Sequence, residues 1–179
     1  MEKFLQSNRF VILLFTIITV VVVKDLRNCT KTSETATIVT ELQEYYWVAP
    51  SLFDGSLDAE KNRDQILYGH DLIANTSKYL GPKGSAAQIT NGMNCQNCHL
   101  DAGRKPFGNN YGAVASTYPK FRARSGSMES IEKRVNDCIE RSLNGTALDS
   151  NSKEMRAIVA YMKWLGKDVV KDEKPKGSG

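Results

Sequence analysis

The chain has 179 residues, 41% of them hydrophobic and 25% charged, with a net charge of +4. This supports one packed domain with appendages and excludes a chain disordered throughout. The positive balance is small and no aromatic–basic repeat accompanies it, so nucleic acid is not expected as a partner, while anionic partners are favoured.

Lys3 and Arg9 precede an uncharged apolar run from Phe10 to Val23. At 1.5 Å per residue the run spans about 21 Å, short of a hydrocarbon core of roughly 30 Å. That length suits the hydrophobic region of a signal peptide. The run is followed, however, by Lys24-Asp25-Leu26-Arg27-Asn28-Cys29, without a small-x-small cleavage site. We read residues 10–23 as an uncleaved transmembrane anchor behind a cytoplasmic tip of residues 1–9. A cleaved signal segment is the alternative. Lipidation of Cys29 fits less well, because charged Arg27 stands where small or apolar residues are usual.

Residues 24–58 read as a polar tether and an irregular segment, with Tyr45, Tyr46 and Trp47 covering apolar surface. The globular domain is expected over residues 59–168, and it is expected to be all-α. A first helix runs from Ala59 to Leu80, with Ile66, Leu67, Leu72, Ile73 and Leu80 on its apolar face and Gly81-Pro82 as its stop. A second runs from Met128 to Asn144, capped by Ser127 and stopped by Gly145; Ile131, Val135, Cys138, Ile139 and Leu143 form one helical stripe. A third runs from Lys153 to Leu165, with Ser150 or Ser152 as cap and Gly166 as stop; Met155, Ile158, Val159, Met162 and Leu165 form its stripe. No strand pattern of useful length is visible. Residues 169–179, charged and containing Pro and Gly, read as a disordered tail.

The chemistry lies in Cys95-Gln96-Asn97-Cys98-His99. Two thiols three positions apart on one helical turn reach the two vinyl groups of a haem, and the adjacent histidine projects its imidazole at the iron. A bare C-x-x-C is also found in redox pairs and half zinc sites, but His99 follows directly and no second Cys/His pair completes four zinc ligands. The motif therefore predicts one covalently attached haem c, with His99 as a metal ligand. Attachment of this kind takes place outside the bacterial cytoplasmic membrane, so the anchored domain is expected to face the periplasm. The segment from Gly103 to Ser125, rich in Gly, Pro, Asn and aromatics, reads as a long loop wrapping one haem face. Of the 4 cysteines, Cys29 and Cys138 remain. A disulfide between them is not expected, since one lies beside the apolar run and the other deep in the domain.

The sixth iron ligand tunes the potential and decides whether the site only transfers electrons or also does chemistry. Candidates are Cys138, the methionines (Met155 and Met162 above all) and His70. His70 reads as a surface or hydrogen-bonding residue, and the two methionines as core. Cys138 is by default a buried inert thiol. Yet Arg134 stands four residues before it, and Arg141 and Ser142 three and four after, sharing its helix face or border. Cations beside a cysteine favour its thiolate, and the same guanidinium groups suit a small oxyanion. The other reading is a solvated face pairing with Glu132, Asp137 and Glu140. The pattern alone leaves the two level.

Several separated segments resemble one family. Cys95-Gln-Asn-Cys-His-Leu-Asp-Ala-Gly103, Tyr118-Pro-Lys-Phe-Arg-Ala-Arg124 and Glu132-Lys-Arg-Val-Asn-Asp-Cys-Ile-Glu-Arg-Ser-Leu-Asn-Gly145 look like the first haem domain of bacterial thiosulfate dehydrogenases, relatives of the sulfur-oxidising cytochromes. Ser152-Lys-Glu-Met155, Ala160-Tyr-Met-Lys-Trp-Leu165 and the upstream Tyr68-Gly-His-Asp-Leu-Ile73 fit as well, so the likeness covers residues 60–166. The resemblance implies a cytochrome c-like fold. It implies that Cys138 is the axial cysteine and that Arg134 and Ser142 line a thiosulfate site. It also implies the coupling of two thiosulfates to tetrathionate. Family enzymes carry two haem domains, and this chain has one C-x-x-C-H. The expected function is thus a membrane-tethered monohaem electron carrier, exchanging electrons with another cytochrome or a membrane acceptor. The alternative is a thiosulfate dehydrogenase-like enzyme, or the catalytic part of a split one.

Overall fold

The computed structural model describes residues 46–179. The expected cytoplasmic tip, the anchor, Cys29 and most of the tether lie outside the described residues. Among those described, no helix is long and apolar enough to cross a membrane.

Two helices build the core. Helix α1 (Arg63–Ala74) turns Ile66, Leu72 and Ile73 inward, each 1% exposed. They meet the C-terminal helix Lys153–Leu165, whose Met155, Ala157 and Tyr161 are 0% exposed. Burying an aliphatic side chain of this size stabilises by about 1.5–3 kcal/mol, so this pair dominates the fold. Gly69 sets how close the two helices come: a β-carbon there would lie 2.0 Å from the carbonyl oxygen of Ala157.

The single helix expected over 59–80 is three pieces. A 3-10 turn, Ser56–Ala59, precedes α1, and α2 (Thr76–Leu80) follows it. The break falls at Asn75, which has φ −126° and ψ 43°. Its side-chain amide donates to Asp71 Oδ1 at 2.6 Å, a local bond that competes with helix continuation. The apolar stripe runs on across the break, so periodicity alone does not reveal it.

The remaining elements follow in order. Helix α3 (Val114–Thr117) interrupts the expected long loop. Strands β1 (Lys120–Arg122) and β2 (Ser127–Glu129) pair antiparallel, with Phe121 opposite Met128. The domain is therefore mostly helical with a small two-stranded sheet, not all-α. Helix α4 (Ile131–Ser142) starts later than expected, and its cap is Ser130, whose hydroxyl accepts from Lys133 N at 3.2 Å. Ser127 is instead on β2. Asn136 ties α4 to the next loop, bonding both the N–H and the carbonyl of Leu148 at 2.9 Å. Helix α5 (Lys153–Leu165) has the expected Ser152 cap, accepting from Met155 N at 3.1 Å.

The last residues do not form a free tail. Lys176 O accepts from Trp47 N at 2.8 Å, and Gly177 O from Phe107 N at 2.9 Å. Asn110 Nδ2 donates to Gly177 O at 2.7 Å, and Gly179 N donates to Asn110 Oδ1 at 2.8 Å. Ser116 Oγ donates to Glu173 O at 2.6 Å. Composition points to disorder because these residues bury little apolar surface; their main chain supplies the contacts instead.

Candidate functional site

The C-x-x-C-H segment is a short 3-10 turn, Cys95–Asn97, and its intervening residues have structural jobs. Asn94 N donates to Asn97 Oδ1 at 2.8 Å, closing the turn. Gln96 Nε2 donates to Ala74 O at 2.6 Å and Cys95 N to Thr76 Oγ1 at 2.9 Å. Ser77 N donates to Asn94 Oδ1 at 2.8 Å. The last three of these bonds reach the junction between α1 and α2. The break at Asn75 thus frees the groups that hold the motif in place.

After His99 the backbone turns sharply, with Asp101 and Ala102 in the left-handed region at φ 54° and 50° and Gly103 at φ 80°. The turn brings the following loop back over the histidine. His99 Nδ1 lies 2.6 Å from Asn109 O, and its ring stacks on Tyr111 with centroids 4.5 Å apart and planes at 28°. Nδ1 is thereby engaged as the donor and Nε2 is left free. Burial pushes the His99 pKa down, with Arg134 adding to the effect and the Asn109 carbonyl opposing it. Burial likewise raises the Cys95 thiol, and Thr76 opposes that shift.

Cys95, Cys98, His99, Arg134, Cys138 and Ser142 all line one cavity of about 320 Å³. Helix α4 brings the last three in as a single face one turn apart. The apolar wall is formed by Ile73, Leu80, Ile131, Val135, Ile139 and Ile158. Cys95, Cys98 and Cys138 are free thiols. Arg134 makes no ion pair among the described residues, unlike neighbouring Lys133, which bonds Asp137. The solvated-face reading therefore does not hold for Arg134: the carboxylate expected to pair with it, Asp137, is buried and is taken by Lys133.

The other ligand candidates separate. Met155 is fully buried and borders a different, more open cleft of about 510 Å³ that contains none of the thiols. Met162 does reach the wall of the thiol-lined cavity. His70 does not line it: its ring stands edge-on to Tyr161, with centroids 5.4 Å apart. Arg141 is exposed and also lies off the cavity. Three cations on the cavity wall have no signal of their own in the sequence: Lys120 and Arg122, placed there by β1, and Lys174 of the C-terminal segment. Asn109 and Tyr111 have none either, because an ordering carbonyl and a stacked ring leave no periodic trace.

The family model described as "SoxA/TsdA, cytochrome c domain" matches residues 85–169. Residues 85–169 are a SoxA/TsdA cytochrome c domain. A thiosulfate dehydrogenase of Psychrobacter arcticus is 43% identical over 91 residues, 51% of this chain and 28% of that protein. One from Stutzerimonas stutzeri is 33% identical over 122 residues, 68% of this chain and 38% of its own length. The chain thus spans about a third of the curated relatives it matches. The solved thiosulfate dehydrogenase TsdBA of Marichromatium purpuratum superposes with a TM-score of 0.65 over 75% of this chain and 29% of the other, at 23% identity, a likeness of fold.

A cytochrome c domain holds its haem c covalently, and the donor set in this cavity fits that group. Two thiols on one turn, an imidazole with Nε2 free and a third thiol in the same largely apolar cavity are the chemistry that attachment and axial ligation require. The volume falls within the roughly 300–1,000 Å³ usual for cofactor sites.

Proposed function

We propose that this chain is a c-type cytochrome that transfers electrons. In this reading Cys95 and Cys98 carry the haem, and His99 and Cys138 are its axial ligands. The observation that carries the reading is the convergence of those four side chains on one cavity. When bound, haem c supplies a one-electron store whose potential depends on its axial ligands and on burial. The protein's part is to fix the His99 tautomer through Asn109, to exclude water with the apolar wall and to set a cation, Arg134, beside Cys138. We place residues 10–23 in the bacterial cytoplasmic membrane, with the domain on the periplasmic side, passing electrons to another cytochrome or a membrane acceptor.

A second reading has its own support. Arg134 and Ser142 line the same cavity as Cys138 and offer a cation and a hydroxyl to a small oxyanion. The curated relatives named above are thiosulfate dehydrogenases. Two thiosulfates joined through a new S–S bond give tetrathionate and release two electrons. One haem takes one of these, so this activity requires two successive one-electron steps, a partner cytochrome or a second copy of the chain.

Both readings meet one experiment. The oxidised holoprotein should show a near-infrared thiolate-to-iron charge-transfer band that disappears in Cys138→Ala. A methionine-type band retained in Cys138→Ala would assign the ligand to a methionine of the same cavity, Met93 or Met162, instead. Excess thiosulfate is then added. Haem reduction with tetrathionate formation in the presence of an acceptor supports the enzyme, and an unchanged oxidised spectrum leaves the carrier.

A further inference from the structure

We propose that Tyr111 fixes the plane of the His99 imidazole, so that Nε2 is offered to the haem iron in one orientation. The inference rests on the ligation proposed above.

A single hydrogen bond pins a point on a ring but not its plane. The bond between His99 Nδ1 and Asn109 O, at 2.6 Å, together with the link to Cβ, still lets the imidazole rock within the tolerance of a hydrogen bond. Stacking removes that freedom, because the Tyr111 ring lies against the imidazole at 4.5 Å with only 28° between planes. Tyr111 is itself 6% exposed and lines the same cavity as His99, so its ring and the imidazole stand side by side on one wall.

The seat of Tyr111 is built by the backbone that leaves His99. Gly103 N donates to His99 O at 2.8 Å, and Tyr111 N donates to Gly103 O at 3.0 Å. These two links tie the tyrosine to the histidine it packs on. Gly103 is required on two counts. Its φ of 80° is left-handed, and a β-carbon there would lie 2.1 Å from Tyr111 Cδ2. The Tyr111 hydroxyl has no hydrogen-bond partner among the described residues, so the face of the ring is what acts on His99.

The test compares the full chain, matured with haem, as wild type, Tyr111→Phe and Tyr111→Leu. Covalent haem is measured first, by haem staining of the denatured protein. A wild type without covalent haem would remove the underlying reading rather than this inference. With haem attached in all three, Tyr111→Leu is expected to broaden and shift the g-values of the ferric low-spin signal and to shift the midpoint potential. Tyr111→Phe is expected to keep both. Wild-type g-values and potential in Tyr111→Leu would overturn the proposal, as would equal shifts in both variants, which would assign the effect to the hydroxyl. The reduced wild type gives a reading that needs no variant. Cross-relaxation between the His99 and Tyr111 ring protons is expected by NMR, and its absence overturns the stack.

Discussion

Arg134 and Cys138 stand one turn apart on α4 and both open onto the cavity that holds Cys95, Cys98 and His99. Under the thiosulfate reading, the guanidinium binds the oxyanion while Cys138 faces the iron. Arg134→Ala should then lower kcat/KM for thiosulfate by about 10²–10³-fold, the loss typical of a donor aimed at developing negative charge. The charge-transfer band should persist, because Arg134 is not a ligand. Stopped-flow haem reduction beside the near-infrared spectrum separates the two roles.

At Gly69 the α1–α5 contact leaves no room for a β-carbon. Gly69→Ala forces its methyl against the Ala157 carbonyl and the Tyr161 β-carbon. We expect a destabilisation of about 1–3 kcal/mol from overpacking, read as a lower urea midpoint at unchanged m-value.

His70 makes the fold pH-sensitive above the carboxylate range. Burial holds its pKa below the ordinary 6.5, Arg104 adds to this, and Asp71 and Asp101 partly oppose it. The folded state therefore resists protonation that the unfolded state accepts. Stability is fully present above the ordinary value and is lost as pH falls from there towards the folded pKa. Denaturant midpoints measured from about pH 7.5 down to about pH 5 should fall, and His70→Gln should flatten that slope.

The cap of α4 distinguishes two serines three residues apart. Ser130→Ala removes the acceptor of Lys133 N and should cost about 1 kcal/mol. Ser127→Ala, on an exposed strand position, should change stability by less than about 0.5 kcal/mol. Thermal melts of both variants check the assignment.

The parts of this protein that repeat along a helix are legible in its sequence. The α4 stripe turns Cys138 inward, and the α5 stripe and its Ser152 cap stand where periodicity and capping chemistry put them. The C-x-x-C-H signal is legible because covalent chemistry demands that spacing. What escapes depends on single side chains closing local bonds. Asn75 divides a continuous apolar stripe, and Lys120 and Arg122 reach the cavity only because a hairpin of three-residue strands folds there. Tyr111 meets His99 through a left-handed turn at Asp101 and Ala102; Asp tolerates that conformation, but Ala gives no signal of it. Among the ligand candidates, Met155 and Met162 lie on the same apolar stripe, yet only Met162 reaches the cavity.

The path of the last residues has a consequence for how this protein changes over evolutionary time. Asp172, Glu173, Lys176, Gly177 and Gly179 meet the domain through amide and carbonyl groups, and Lys171 reaches in with its side chain, bonding Ser116 O and Tyr118 O at 2.8 and 3.0 Å. Most of these main-chain bonds survive an exchange of side chain, whereas a one-residue deletion within the segment would put those beyond it out of step. Selection would act on length and on the turn at Gly177, while letters drift. The family match ends at residue 169, just before main chain takes over as the means of attachment.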